Sequence, residues 1–184
     1  MSGRPRSAEA DEGILDAAME LFCEQGYDAL SVEGVACRAG VGKSTIYRRY
    51  PSKLELVMAA IDRAKEGMIP APDTGSLRED LHAIALGYTV MLLSRTIGHA
   101  IPMMMAAKAR SPELAAAHQE FVSGRRAATH AVIQRGIDRG ELPQGADPTV
   151  IADMLTGALF SRVFVTGQPV DDVYVKSLVD SILS

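Results

Sequence analysis

The side chains best suited to chemistry in this sequence are concentrated in one short basic segment. Residues 34–54 contain no acidic side chain and five basic ones: Arg38, Lys43, Arg48, Arg49 and Lys53. Cations beside hydroxyl groups are the side chains that bind DNA phosphates and base edges. The formal net charge is −4, so this local surface, and not the total charge, indicates a nucleic-acid partner. A charged face that is merely solvated is the alternative.

A phosphate-binding loop is the competing interpretation of part of this segment. Residues 40–45 read Gly-Val-Gly-Lys-Ser-Thr, like the end of the loop that NTPases use. That loop needs a further glycine where Cys37 stands, and it needs a buried strand upstream. The sequence supplies a capped helix there instead, so we expect no NTPase.

Other catalytic and metal-binding patterns are also missing from the sequence. No Ser/His/Asp, Cys/His or paired-carboxylate arrangement stands out. We therefore expect no enzyme, no metal and no cofactor. Cys23 and Cys37 lie within helical patterns, which predicts two small buried thiols and no disulfide framework. The histidines lack metal-ligand spacing: His82, His99, His118 and His130.

The elements that must position the basic segment are helices. The sequence predicts an all-α protein of about nine helices, because apolar residues recur at helical spacing and no stretch alternates with period two. Ser31 is a suitable N-cap for a short second helix, and Gly26 a suitable end for the first. Residues 40–42 break the second helix, and Pro51 ends the third. Residues 52–55 form a capping box that opens a fourth helix.

A short helix, a tight glycine turn and a second short helix together predict a helix-turn-helix. Such a unit presents the polar face of its second helix to the DNA major groove. Val41 and Ile46 can anchor that helix, and its other side chains then face outward. We predict an N-terminal helix-turn-helix domain over residues 1–54 and a larger helical domain for ligand binding and dimerisation over residues 55–184.

This N-terminal region resembles the tetracycline-repressor-like (TetR) family of transcriptional regulators. The matching motifs are residues 18–27 (Ala-Met-Glu-Leu-Phe-Cys-Glu-Gln-Gly-Tyr), Ser-Val-x-x-Val-Ala from Ser31, and residues 39–47 (Ala-Gly-Val-Gly-Lys-Ser-Thr-Ile-Tyr), followed by Tyr50 and Lys53. The family usually has Phe or Trp where this chain has Tyr50. The added hydroxyl must find water or a partner.

The resemblance implies which residues contact DNA. In the recognition helix, Lys43 and Ser44 would approach bases or phosphates. Thr45 and Tyr47 would contact the backbone, and Tyr47 could reach a base. A packed aromatic is the alternative for Tyr47. The full set of implied contacts is Ser31, Lys43, Ser44, Thr45, Tyr47, Arg48, Arg49 and Lys53.

The remaining implied contacts flank the recognition helix. Lys53 and Ser31 would contact phosphate at helix N-termini, where free N–H groups favour an anion. Arg48 and Arg49 stand where the family varies, so a role in solubility is their alternative.

A ligand site is predicted in the second domain. His118, Arg125 and Thr129 fall within an apolar arc of one long helix, and polar groups there need partners or serve a ligand. The alternatives are a satisfied core histidine, methionines that only fill the core, and a buried ion pair for Arg125. The predicted lining is Tyr88, Met91, Met104, His118, Phe121, Arg125 and Thr129.

The last two helices carry more apolar residues than one face can bury. A two-fold four-helix interface would use this surplus, and the resemblance implies the same homodimer. The predicted interface is Leu155, Leu159, Phe160, Val163, Phe164, Leu178 and Ile182.

Together these patterns predict a DNA-binding transcriptional regulator, specifically a homodimeric repressor that a small, largely apolar ligand releases from a palindromic double-stranded operator. One alternative is a regulator that needs no small molecule. Another, from a different class, is a ligand-binding helical protein that does not act on DNA. No signal core and no run of about 18 apolar residues is evident, so we expect a cytoplasmic protein and no membrane partner.

Overall fold

A computed structural model describes residues 6–63 and 71–184 of the chain; for residues 6–9, 121 and 125 it describes the backbone alone. Within these ranges the chain forms nine α-helices and one π-helical segment, and no strand, which confirms the all-α prediction. The elements are α1 (Arg6–Ala29), α2 (Val32–Ala39), α3 (Lys43–Tyr47), α4 (Lys53–Arg63), α5 (Leu77–Leu93), α6 (Ile97–Lys108), α7 (Pro112–Asp138), α8 (Pro148–Phe160), the π-helical segment Ser161–Thr166 and α9 (Asp172–Leu183).

Helix boundaries lie where capping residues occur in the sequence. The Ser31 hydroxyl accepts a hydrogen bond from the Gly34 N–H at 3.1 Å and so caps α2. The Ser52 hydroxyl accepts one from the Glu55 N–H at 3.1 Å, as the predicted capping box requires. Gly26 interrupts α1 with a φ of +78°, a conformation that side-chain-bearing residues rarely adopt. The first helix therefore breaks at the predicted glycine, and residues 27–29 form a separate short turn.

The described residues divide into two compact units. The first has the bounds Met1–Glu66 and Arg95–Gln119, and the second Gly67–Ser94 and Glu120–Ser184. Helix α7 contributes residues to both. These units are defined by packing, so the functional division between residues 54 and 55 stays a prediction.

The first unit is organised around α1, which packs against α2, α4 and α6. Its apolar stripe faces inward, as the spacing of Ile14, Ala18 and Phe22 predicts. The helix-turn-helix contributes Val35 and Ile46 to the same core, and both are fully buried. The recognition segment is thus fixed to the unit by its apolar side, which leaves its polar side outward.

The second unit is organised around α5, which packs against α8 and α9. A polar network fixes the start of α5 to the end of α7. The Glu141 carboxylate accepts a hydrogen bond from the Leu77 N–H at 2.7 Å and a second one from the Arg139 Nε–H, with a nitrogen–oxygen distance of 2.6 Å. Asp80 is fully buried, and its Oδ1 accepts bonds from the N–H and the hydroxyl of Thr74 at 2.8 and 2.9 Å.

Helix α8 with the π-helical segment is the most apolar part of the described chain. The span Pro148–Thr166 is long and apolar enough, by length and composition alone, to cross a membrane, and 22% of it is buried within the protomer. One side packs into the second unit through Ile151, Leu155 and Leu159. The other side carries the exposed apolar side chains of Val150, Met154 and Val165.

Candidate nucleic-acid interface

The turn between α2 and α3 depends on the backbone of Gly40. Its φ of +65° is left-handed, and its N–H donates to the Cys37 carbonyl at 3.3 Å, which closes the end of α2. A Cβ added at Gly40 would meet nothing within 4 Å, so the backbone conformation, not space, requires glycine. The Val41 N–H then donates to the Ala36 carbonyl at 3.0 Å. Two backbone hydrogen bonds therefore help to hold the turn.

The recognition helix α3 separates into a buried anchor and an outward polar surface. Ile46 is fully buried, which confirms the predicted anchor. Tyr47 is 47% exposed, so it is not the packed aromatic that was the alternative. The predicted contacts Lys43, Ser44, Tyr47 and Arg48 are all exposed, and Thr45 and Arg49 are half-buried beside them.

Lys43 is paired with an acid that the sequence analysis did not single out. The Lys43 Nζ lies 2.8 Å from the Glu33 Oε1, with the two side chains 56% and 58% exposed. This hydrogen bond raises the pKa of the Lys43 ammonium and lowers the pKa of the Glu33 carboxyl. The first residue of the recognition helix thus carries its charge beside a carboxylate from α2.

Tyr50 and Arg49 share a second acid, Asp11 of α1. The Tyr50 hydroxyl donates to the Asp11 Oδ1 at 2.9 Å, which is the partner that this departure from the family pattern requires. The Arg49 Nε lies 3.3 Å from the same oxygen, and its Nη1 donates to the Thr45 carbonyl. Burial, followed by the bond to Asp11, raises the pKa of Tyr50 to about 12.

Ser31 and Lys53, the two residues predicted to contact phosphate at helix N-termini, also make contacts within the protein. The Ser31 hydroxyl caps α2. The Lys53 Nζ donates to the Tyr27 carbonyl at 2.9 Å and lies 4.4 Å from the centre of the Tyr27 ring. Both residues therefore stabilise the unit in the free protein.

The rest of the basic segment is also partly neutralised. The Arg38 Nη1 lies 2.8 Å from the Glu24 carboxylate and 3.7 Å from that of Glu20. The prediction of two buried thiols is wrong for Cys37, which is exposed on the polar face of α2; Cys23 is half-buried. A helical pattern locates the apolar face, and Cys37 lies outside it.

The predicted ligand-site residues are distributed over both units. Met104 and His118 belong to the first, and Tyr88, Met91 and Thr129 to the second. Met91 and Met104 are buried within their own units, which favours the core-filling alternative for these two. Burial lowers the pKa of the half-buried His118 imidazole. The side chains of Phe121 and Arg125 lie outside the described residues.

An open groove of about 720 Å³ occurs in the first unit, between α1, α4 and the start of α6. Its lining includes Met19, Cys23, Arg63 and His99, and it includes none of the predicted ligand-site residues. The predicted ligand site therefore gains no support from this groove. Among the described side chains, no group of three His, Cys, Asp or Glu residues is placed to hold a metal ion.

The predicted dimer interface needs a correction. Leu155 and Leu159 have 0% exposure within the protomer, so the prediction that they meet a partner is wrong. They pack inward because α8 is apolar on both sides and these positions face α5 and α9. The remaining predicted residues are half-buried: Phe160, Val163, Phe164, Leu178 and Ile182.

Four exposed apolar residues on the same elements were missed in the predicted interface. Val150 is 53%, Met154 47%, Val165 73% and Val173 75% exposed. For α8 the signal in the sequence is positional, because Val150, Met154 and Gly157 follow each other at helical spacing on the side opposite Leu155.

Comparisons with known proteins identify the class. Residues 14–60 match the model of the bacterial regulatory proteins of the tetR family, and residues 71–182 match the tetracyclin repressor-like C-terminal domain. YdeS of Bacillus subtilis, named as an uncharacterised HTH-type transcriptional regulator, is 35% identical over 178 residues, which cover 96% of this chain and 89% of YdeS. The DNA-binding transcriptional repressor TetR of Mycobacteroides abscessus is 32% identical over 191 residues, covering 98% and 93%.

The fold comparison agrees. The crystal structure of the TetR family transcription regulator SCO0332 matches with a TM-score of 0.74 at 31% identity, covering 95% of this chain and 97% of that one. Fold and interface thus define a helix-turn-helix transcriptional regulator that binds DNA. The chain belongs to the TetR family, whose members bind DNA operators as dimers and are not enzymes.

Proposed function

We propose that this protein is a homodimeric repressor that binds a palindromic operator and is released from it by a small, largely apolar molecule. It would act in the cytoplasm. The observation that carries the proposal is the polar surface of α3 and its C-cap residue, where Lys43, Ser44, Tyr47 and Arg48 are exposed together above the buried anchor Ile46. That arrangement is what a major-groove reader needs.

Roles for individual residues follow from position and charge. Lys43 and Ser44, at the start of α3, would meet base edges, while Thr45 and Tyr47 would contact the backbone. Arg48 and Arg49 would add charge directly after α3. Ser31 and Lys53 would meet phosphates at the starts of α2 and α4, where unpaired N–H groups favour an anion.

Dimerisation would use the outward side of α8, the π-helical segment and α9. Met154, Val165 and Val173 are exposed there beside the half-buried Phe160 and Phe164. Charged pairs such as Arg78–Asp180 and Lys176–Asp172 occur on the neighbouring helical surface. An apolar strip with charged pairs nearby suits a protein partner better than a lipid bilayer. If that partner is a second copy of the chain, the dimer presents two recognition helices.

The term repressor takes its support from a named relative, the DNA-binding transcriptional repressor of Mycobacteroides abscessus. Release by a ligand is proposed from the polar residues His118, Arg125 and Thr129 of α7. A ligand could act only through different affinities for two arrangements of the dimer, of which one fits the operator.

The experiment is selection of bound sequences from a random duplex pool, followed by a screen for compounds that release the protein. We expect a palindrome whose half-sites lie about 34–36 Å apart or a multiple of this. Binding should weaken steeply with salt. Arg125→Ala should blunt the response to a releasing compound and leave binding without the compound intact. If the protein enriches no duplex, the proposal is contradicted. If Arg125→Ala responds to the compound like wild type, the ligand site does not include Arg125.

A further inference from the structure

Glu33 and Lys43 form an ion pair across the helix-turn-helix. Lys43 is the first residue of α3, and Glu33 lies in the first turn of α2. The Nζ and Oε1 atoms are 2.8 Å apart, on side chains that are both more than half exposed. No acid follows between residues 34 and 54, so Glu33 is the carboxylate placed directly before the basic segment.

This pairing is compatible with contact to a base. A lysine ammonium has three N–H donors and no acceptor. One donor goes to Glu33, which leaves two for acceptors such as O6 and N7 of guanine. Since the start of a recognition helix is the part that approaches base edges, Lys43 can keep its bond to Glu33 while it reads a base.

Contact with a phosphate is different. A phosphate attracts the Lys43 ammonium and repels the Glu33 carboxylate, whose Oε1 lies 2.8 Å from the Lys43 Nζ. Lys43 must therefore leave Glu33 to neutralise the phosphate. Glu33 also lies in the first turn of α2, where the helix dipole otherwise favours a phosphate. Its carboxylate thus opposes phosphate binding on two grounds. Because phosphate contacts supply nearly all of the affinity for non-specific DNA, Glu33 should weaken non-specific binding.

We propose that Glu33 is a specificity-determining residue, which orients Lys43 toward a base edge and penalises its contact with phosphate. The inference rests on the proposed role of Lys43 in DNA contact. Glu33 gives selectivity by opposing the wrong complex, a general way in which proteins discriminate between partners.

The test compares wild type with Glu33→Gln on two probes: the duplex that wild type selects from a random pool, and a scrambled duplex of the same composition. Loss of an exposed ion pair should tighten binding to the scrambled duplex by about threefold for each protomer engaged. The slope of log affinity against log salt should steepen by about 0.9 for each Lys43 that now neutralises a phosphate. Affinity for the selected duplex should stay equal or fall, so that selectivity falls.

Glu79→Gln is the matched control. It removes the same charge from the first turn of another serine-capped helix, α5, in the other unit. It measures the general effect of one lost negative charge, which should tighten both duplexes slightly and equally. Glu33→Gln must exceed this control on the scrambled duplex.

A double-mutant cycle shows whether Glu33 acts through Lys43. In a Lys43→Gln background, most of the tightening of the scrambled duplex by Glu33→Gln should be lost, and the remainder should reflect only the direct repulsion between Glu33 and a phosphate at the start of α2. Equal tightening of both duplexes by Glu33→Gln, or an undiminished effect without Lys43, would overturn the inference. Those results would leave wild-type binding intact, whereas failure of the proposed function shows as a wild type that selects no duplex.

Discussion

The Lys53 ammonium nitrogen lies 2.9 Å from the Tyr27 carbonyl oxygen and 4.4 Å from the centre of the Tyr27 ring. It also lies 3.5 Å from the Asp28 carbonyl oxygen. These carbonyls follow the break of α1 at Gly26, so Lys53 supplies a cation to backbone acceptors at the end of one helix while it begins another. A residue proposed to bind phosphate thus has a structural role in the free protein.

Lys53→Met should therefore have two effects. It should lower the free energy of unfolding by about 1 kcal/mol, because a charge-assisted hydrogen bond and a cation–π contact are lost. It should also weaken binding to a selected and a scrambled duplex by the same factor, because a phosphate contact carries no base information. Urea unfolding and fluorescence anisotropy measure these, with Lys108→Met as the control for one lost cation. A changed preference between the duplexes would assign Lys53 a base contact instead.

The hydroxyl of Tyr50 should make stability depend on alkaline pH. Its native pKa of about 12 lies above the usual value near 10, so its contribution is complete below pH 10 and is lost as pH rises toward 12. Tyr50→Phe should be less stable than wild type at pH 8, and this difference should shrink by pH 11. Urea unfolding at both values checks it. Tyr47→Phe removes an exposed phenol from the same segment as control, and an equal gap at both pH values would contradict the expectation.

Met154→Glu should separate the proposed dimer without unfolding the protomer. Met154 points outward from α8, so a carboxylate there is harmless in the monomer and costs several kcal/mol when a partner buries it unpaired. Leu159→Glu should unfold the second unit instead, because Leu159 is fully buried in the protomer. Sedimentation velocity and circular dichroism distinguish the two, with Met154→Leu as control. A folded, unchanged dimer from both Met154→Glu and Val173→Glu would place the interface elsewhere.

Gly136 on α7 is a close-approach position against α5. An added Cβ would lie 2.5 Å from the Leu77 Cδ2 and 3.0 Å from the Leu77 Cβ, and Leu77 is fully buried. Gly136→Ala should lower the free energy of unfolding by about 1–3 kcal/mol through overpacking. Gly124→Ala, on the same helix with nothing within 4 Å, should raise it by up to about 1 kcal/mol through helix propensity. Equal stabilisation by both, in urea unfolding, would show that Leu77 moves aside.

Much of the recognition surface could be predicted from local sequence. The caps at Ser31 and Ser52, the turn at Gly40 and the anchor Ile46 all depend on residues within a few positions of each other. The partners of the basic residues could not be predicted in this way. Asp11 meets Arg49 and Tyr50 from 38 and 39 positions away in the chain, which requires α1 to pack beside the turn after α3.

The sequence by itself determined that the chain is helical, where α2 and α4 begin, and that a helix-turn-helix carries cations outward, because capping and helical periodicity act over one or two turns. It placed the end of the third helix at Pro51, whereas α3 ends at Tyr47. Only the tertiary structure decided which apolar side of α8 is core. Leu155 and Met154 are adjacent and both apolar, and the packing of α5 and α9 buries the first and exposes the second. Tertiary packing also placed Glu33 against Lys43, since that contact depends on the angle at which α2 and α3 cross.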